Sequence, residues 1–155
     1  MSGHYVIAVE TNIPDLEYDD TPLAKIVAST LESEGRTRAS IDVILVDDEY
    51  LRELKREYFG IDAFTDVIAF RLNPYEAPEI EGEIYISLHR AIAQAEQYDI
   101  TADMELLRLA SHGTLHLMGY EDDIPEQKQR MTAKEDKQLR AFREPLVITG
   151  LPADE

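Results

Sequence analysis

The sequence predicts an α+β fold with α/β character, a small mixed four-stranded sheet flanked by about five helices in the order β-α-β-α-β-β-α-α-α. Three observations carry that expectation. Strand-like and helix-like stretches alternate through the first 60 or so residues, which favours parallel strands joined by right-handed crossovers. The third and fourth strand candidates are separated only by "NPYEAPEIE", a loop, so they can pair antiparallel. From Leu88 onward the pattern turns helical. The chain has 155 residues, 44% of them apolar, which fits one domain spanning 1–155 with a real core.

Each element has a local reason. "YVIAVET" (5–11) alternates and is rich in β-branched residues, so it reads as a strand. "TPLAKIVASTLESEG" (21–35) starts with a Thr cap and a Pro and ends in Gly, with Leu23, Ile26, Val27 and Leu31 spaced for one helical face. "ASIDVILVDD" (39–48) is a strand whose final acids cap a helix over "DEYLRELKREYFG". "FTDVIAFRL" (64–72) and "GEIYISL" (82–88) are the next strands. Three helices follow: "HRAIAQAEQY", a second capped by Thr101, and "IPEQKQRMTAKEDKQLRAF" with Pro125 in its first turn. The tail "PLVITGLPADE" adds a strand or lies extended.

Composition narrows the chemistry. No apolar run reaches the ~18 residues a membrane span needs, and the N-terminus lacks a signal-peptide pattern. There is no cysteine, so a metal would have to be held by His and carboxylates; this fits a cytoplasmic protein. The net charge is -17, from 15 basic and 32 acidic side chains. Such a charge suits solubility or a salty cytoplasm, and it opposes RNA unless a local basic patch or high salt offsets it. Arg36, Arg38, Arg52, Lys55, Arg56, Arg71, Arg90 and Arg108 are the cations available for a groove, but acids interleave with them.

The chemistry concentrates in "LASHGTLHLMGYEDD" (109–123). His112 and His116 lie four apart, on one helical face, where two imidazoles can share a metal ion. Gly113 costs about 1 kcal/mol relative to Ala inside a helix, so something is expected close to its backbone, a strand or a substrate. Gly119 is placed to end the helix in a left-handed cap and to swing Asp122 back toward the imidazoles. Counting from His112, a His falls at +4, a Gly at +7 and Asp122 at +10. The skeleton H-x-x-x-H-x-x-G-x-x-D matches the spacing of the metzincin zinc proteases. His112, His116 and Asp122 are thus the expected ligands, with one position open for water. The Glu that serves those proteases as general base is replaced by Gly113, which argues against peptidase chemistry.

"HGTLHLMGYED" also resembles the signature of the YbeY endoribonucleases, usually written H-G-x-L-H-L-x-G-Y-D-H. "YFGIDAFTDVIAF" (58–70) is similar to that family's Y-R-G-x-D-x-P-T-D-V-L-S-F, and "GEIYIS" (82–87) to its G-D-I-x-I-S. The resemblance covers most of the chain. It implies one zinc ion per chain and endonuclease action on single-stranded regions, with activated water attacking a phosphodiester. It further implies a role in ribosomal RNA maturation and ribosome quality control, with ribosomal proteins or a small-subunit assembly GTPase as partners.

Two departures stand out. The family's third histidine is Asp122 here, which brings negative charge and makes the metal less Lewis-acidic. The family arginine linked to RNA cleavage is Phe59; Arg56 and Arg71 are the candidates to replace it. Glu121 and Asp123 are the candidate proton acceptors. Thr65, Asp66 and Ser87 are the candidate substrate-binding residues, Ser87 also being placed to cap the helix that follows it. An alternative reading is a ribosome-assembly binding factor whose metal site is mainly structural.

Overall fold

The computed structural model describes residues 3–152. Strand β1 (His4–Thr11) is followed by a two-residue strand β2 (Glu17–Tyr18), helix α1 (Thr21–Ser33), strand β3 (Arg38–Val46) and helix α2 (Asp48–Phe59). Strands β4 (Val67–Arg71) and β5 (Ile80–Ser87) come next. Helices α3 (Leu88–Tyr98), α4 (Ala102–Leu117) and α5 (Pro125–Leu139) and a short β6 (Ile148–Gly150) complete the chain. The main sheet has the order β1-β3-β5-β4. β1, β3 and β5 are parallel, and β4 runs antiparallel to β5, as the loop connection predicts. β2 and β6 form a separate antiparallel pair, so the tail contributes a strand over 148–150, while residues 153–155 lie outside the described residues.

Burial explains the layers. Ile41, Val43 and Leu45 of β3 and Ile80, Ile84 and Ile86 of β5 point to one face, where they meet Leu23, Ile26 and Leu31 of α1 and Leu106, Leu109 and Ala110 of α4. The opposite face carries a smaller cluster in which α2 sets Leu51 against Val46 and Ile68. Helix α4 is buried nearly all round, including Glu105, Ser111 and Thr114. Its hydroxyls are satisfied locally or by a neighbour: Thr114 donates to the Ala110 carbonyl, and Ser111 pairs with Thr30 at 2.9 Å.

Gly113 has the close neighbour its position demands. A Cβ there would sit 2.6 Å from Ile84 Cγ2, so the approaching element is strand β5 and not a substrate. Most strand boundaries shift by one or two residues from the sequence reading, and three differences bear on the site or on the helix ends. Thr21 is the first residue of α1 rather than its cap, and its N–H is met by Asp19 Oδ1 at 3.0 Å. The third strand starts at Val67, because Gly60 ends α2 in a left-handed turn (φ 69°) and residues 61–66 form a loop. Thr65 and Asp66 therefore lie before the strand. Helix α5 stops at Leu139 instead of reaching Phe142. No described helix is long and apolar enough to cross a membrane.

Candidate metal centre

The C-terminus of α4 builds the site. Gly119, with φ 97°, sends its N–H to the His116 carbonyl at 3.0 Å, while the Tyr120 N–H reaches the Leu115 carbonyl at 3.1 Å. This is the paired closure of a Schellman turn. It reverses the chain and aims the Tyr120 carbonyl back at the helix, where it accepts a hydrogen bond from His116 Nδ1 at 2.8 Å. A carbonyl can only accept, so His116 donates from Nδ1, and in the neutral imidazole the lone pair is on Nε2.

His112 is fixed in the same way by a carboxylate. Its Nδ1 donates to Glu135 Oε2 on α5 at 2.6 Å. Both imidazoles then present Nε2, and these two atoms lie 3.0 Å apart. Asp122 completes the group, with Oδ2 3.4 Å from His112 Nε2 and Oδ1 3.7 Å from His116 Nε2. Two imidazole lone pairs facing each other beside a carboxylate repel unless a proton or a cation lies between them. Zinc–ligand distances of about 2.0 to 2.1 Å in a tetrahedral arrangement require donor atoms roughly 3.3 Å apart. The observed separations bracket that value, so the three side chains fit a metal ion, and they form the metal-competent group found among the described residues.

The second layer is charged and buried. Glu135 is 1% exposed and Glu105 is fully buried. Arg108 bridges them, holding Glu105 bidentately at 2.8 and 2.6 Å and Glu135 Oε1 at 3.3 Å. Burial works against the imidazolium of His112, but the Glu135 hydrogen bond and charge, with Asp122 and Asp66 behind, overcome it and raise the pKa above the ordinary histidine value. Carboxylates that orient a ligating imidazole commonly set metal affinity.

A cleft of about 810 Å³ opens beside the ligands. Its floor is the open edge of β4, whose consecutive Val67, Ile68 and Ala69 all reach it; one wall is the loop 118–123, the other the end of α2. Glu121, Asp123 and Thr65 line this cleft, as do Lys55 and Phe59. The remaining candidates are engaged elsewhere. Ser87 is fully buried, accepts from the Arg90 N–H as the α3 cap and donates to Asp48. Asp66 accepts from Gln94 at 3.2 Å. Arg56 pairs with Glu53. Arg71 ties down the β4–β5 loop, donating to Asn73 Oδ1 and to the carbonyls of Pro74 and Glu79, and to that of Leu117 at the end of α4. The basic residues do not converge: among the described lining residues Lys55 is the one cation, against Glu121, Asp122 and Asp123.

Sequence reasoning missed Glu135, Glu105 and the role of Arg108. A signal existed for the first: Met131, Glu135 and Gln138 share the buried stripe of α5, and an acid on such a stripe calls for a partner.

Comparison with known proteins agrees with this geometry. Residues 8–143 match the family model described as Endoribonuclease YbeY. A protein named Endoribonuclease YbeY from Chlorobaculum tepidum is 36% identical over 125 residues, 81% of this chain and 90% of that protein. One of the same name from Desulforamulus reducens is 40% identical over 138 residues, covering 84% and 86%. Another, from Salinibacter ruber, is 32% identical over 142 residues, covering 87% and 90%. The solution structure of a Thermotoga maritima protein superposes with a TM-score of 0.59 at 26% identity, covering 87% of each chain. With its paired imidazoles, its Schellman turn and a match that runs through nearly every element, the chain belongs to the YbeY endoribonuclease family.

Proposed function

We propose that the protein is a zinc-dependent endoribonuclease that cuts single-stranded stretches of ribosomal RNA during maturation and ribosome quality control, as one catalytic domain in the cytoplasm. The observation that carries this reading is the convergence of His112 Nε2, His116 Nε2 and an Asp122 oxygen, with both Nδ1 protons already committed to Glu135 and Tyr120. With both imidazoles neutral, that arrangement offers three lone-pair donors to a cation. Zinc, when bound by these three residues, supplies Lewis acidity and an activated water for phosphodiester hydrolysis near neutral pH.

The chain's own residues do the rest. Glu135 and the Tyr120 carbonyl hold the imidazoles in their tautomers. Glu121 and Asp123, on the loop that carries Asp122, stand in the cleft as proton acceptors. Thr65 lines the same cleft and would hydrogen-bond a bound strand there. Arg56 pairs with Glu53 at the surface and Arg71 with backbone carbonyls, and neither is among the residues lining the cleft, so we assign the role of the family arginine to neither.

A second reading has its own support. The acidic cleft lining and the net charge of -17 suit basic ribosomal proteins or an assembly GTPase better than a polyanion. In that case the metal would be mainly structural. Zinc content and RNA cleavage measured on one sample, wild type beside His116→Ala, separate the two. About one zinc per chain, with cleavage lost in the variant, supports the nuclease. Zinc bound without cleavage above the variant at any salt concentration supports the binding factor.

A further inference from the structure

We propose that Phe59 is a stacking platform for an unpaired RNA base in the cleft beside the metal centre, and that stacking, rather than phosphate contacts, carries binding there. The proposal deepens the nuclease reading and rests on it for the identity of the ligand.

The ring is built for that use. Phe59 closes α2 and is 53% exposed. One face packs on Phe70, centroids 6.0 Å apart and planes 19° from parallel. Phe70 is braced edge-on by Tyr58 at 5.3 Å and by Tyr85 at 5.9 Å. The platform is therefore held from behind, while the ring lines the same cleft as His116 and Asp122. A second ring shares the cleft: Tyr75 is 54% exposed and is backed by the Arg71 guanidinium, 5.0 Å from its centroid. Exposed, braced aromatic rings beside a hydrolytic centre suit a ligand with π-faces, and unpaired bases supply them whatever their sequence.

The charges point the same way. Lys55 is the lone cation among the described lining residues, facing three acids. Arg52 is held by Asp62 and Arg56 by Glu53. A groove that neutralises about one phosphate gives a log–log salt slope of only about -0.7 on single strands. Each stacked base, by contrast, is worth roughly a five- to hundredfold change in affinity.

The test is the binding of a short, unstructured, fluorescein-labelled RNA to the zinc-loaded protein, followed by anisotropy, with the oligomer's integrity checked on a gel. Phe59→Leu is expected to weaken binding roughly five- to a hundredfold, Phe59→Tyr to bind like wild type, and the wild-type salt slope to stay shallow. Equal affinity for Phe59→Leu and wild type, or a slope several times steeper, overturns the proposal. Because Phe59 also packs on Phe70, the same question is put from the RNA side: an oligomer with its bases removed must lose affinity for wild type, and unchanged affinity overturns the proposal without any variant. The two readings fail separately. Base-dependent binding with no cleavage by wild type sinks the nuclease and leaves the platform. Cleavage by wild type with Phe59→Leu unimpaired does the reverse.

Discussion

The two walls of the cleft are built on opposite principles. The histidine wall is held by buried charge: His112, Glu135, Arg108 and Glu105 form a continuous chain of hydrogen bonds between α4 and α5. The facing wall is held by rings. Phe59 and Phe70 stack, and Phe64 in the loop 61–66 lies between Arg52 at 4.8 Å and Arg90 at 4.7 Å. Buried ion pairs have strict geometry and fail badly when one member is removed. Exposed stacking and cation–π contacts are weaker and forgiving. A metal centre needs the first kind of wall, since its ligands must meet within tenths of an ångström. A strand-binding surface that takes many sequences suits the second.

The largest expected effect breaks the first wall. Arg108→Met keeps the aliphatic stem but leaves Glu105 and Glu135, both essentially buried, without their shared cation. Removing one member of a buried charge network costs about 3 to 5 kcal/mol. Arg108 itself is 27% exposed, so water relieves part of the loss and about 3 kcal/mol is expected. Urea unfolding of the zinc-free protein measures it. A loss below about 1 kcal/mol, the size of a surface pair, would mean the buried chain does not hold this wall.

Proton and metal should compete at this wall, with opposite signs in the two forms. The folded-state pKa of His112 lies above its ordinary value. In the zinc-free protein this group contributes stability that is fully present below about pH 6.5, its unfolded value, and is lost as pH rises through the raised folded pKa. With zinc bound, the imidazole must be neutral, so affinity and the stability it adds grow with pH. Melting temperatures across that window should fall for chelator-treated protein relative to the zinc-loaded form. Parallel curves for the two forms would show that His112 does not ligate.

How much of this was legible depends on distance along the chain. The motif 112–122 announces its own geometry, because the i, i+4 face, the Gly119 cap and the reversal toward Asp122 are all local. The strand beside Gly113 was legible as a need for close approach, though not as Ile84. The β4–β5 pairing followed from a loop too short for a crossover helix. The second layer was hidden, since Glu135 lies 23 residues from His112 and only packing of α5 on α4 brings it there. The cations misled for a related reason. Sequence order gives no hint that Arg71 is spent on Asn73 and the carbonyls of the β4–β5 loop and α4, or Arg108 on two acids. Phe64 and Thr65 have strand propensity, yet β4 starts only at Val67, and the Arg52–Phe64–Arg90 contacts hold the preceding segment as a loop.

The smallest expected effect sharpens the second wall. Phe64 is 40% exposed, and its two guanidinium partners have other anchors: Arg52 on Asp62 at 2.7 Å, and Arg90 on Asp48 at 3.2 Å. Phe64→Leu removes both cation–π contacts but strands neither charge. At exposed sites each such contact is worth about 0.5 to 1 kcal/mol, so a global loss of about 1 to 2 kcal/mol is expected, under that of Arg108→Met. The local effect should be larger than the global one, because the clamp pins the loop to α2 and α3 together. Amide exchange should accelerate across 61–66 while α4 and α5 keep their protection and zinc content stays unchanged. If exchange also accelerated in α4, or zinc were lost, the two walls would be one cooperative unit. The division between a rigid metal wall and a pliant aromatic one would then fail.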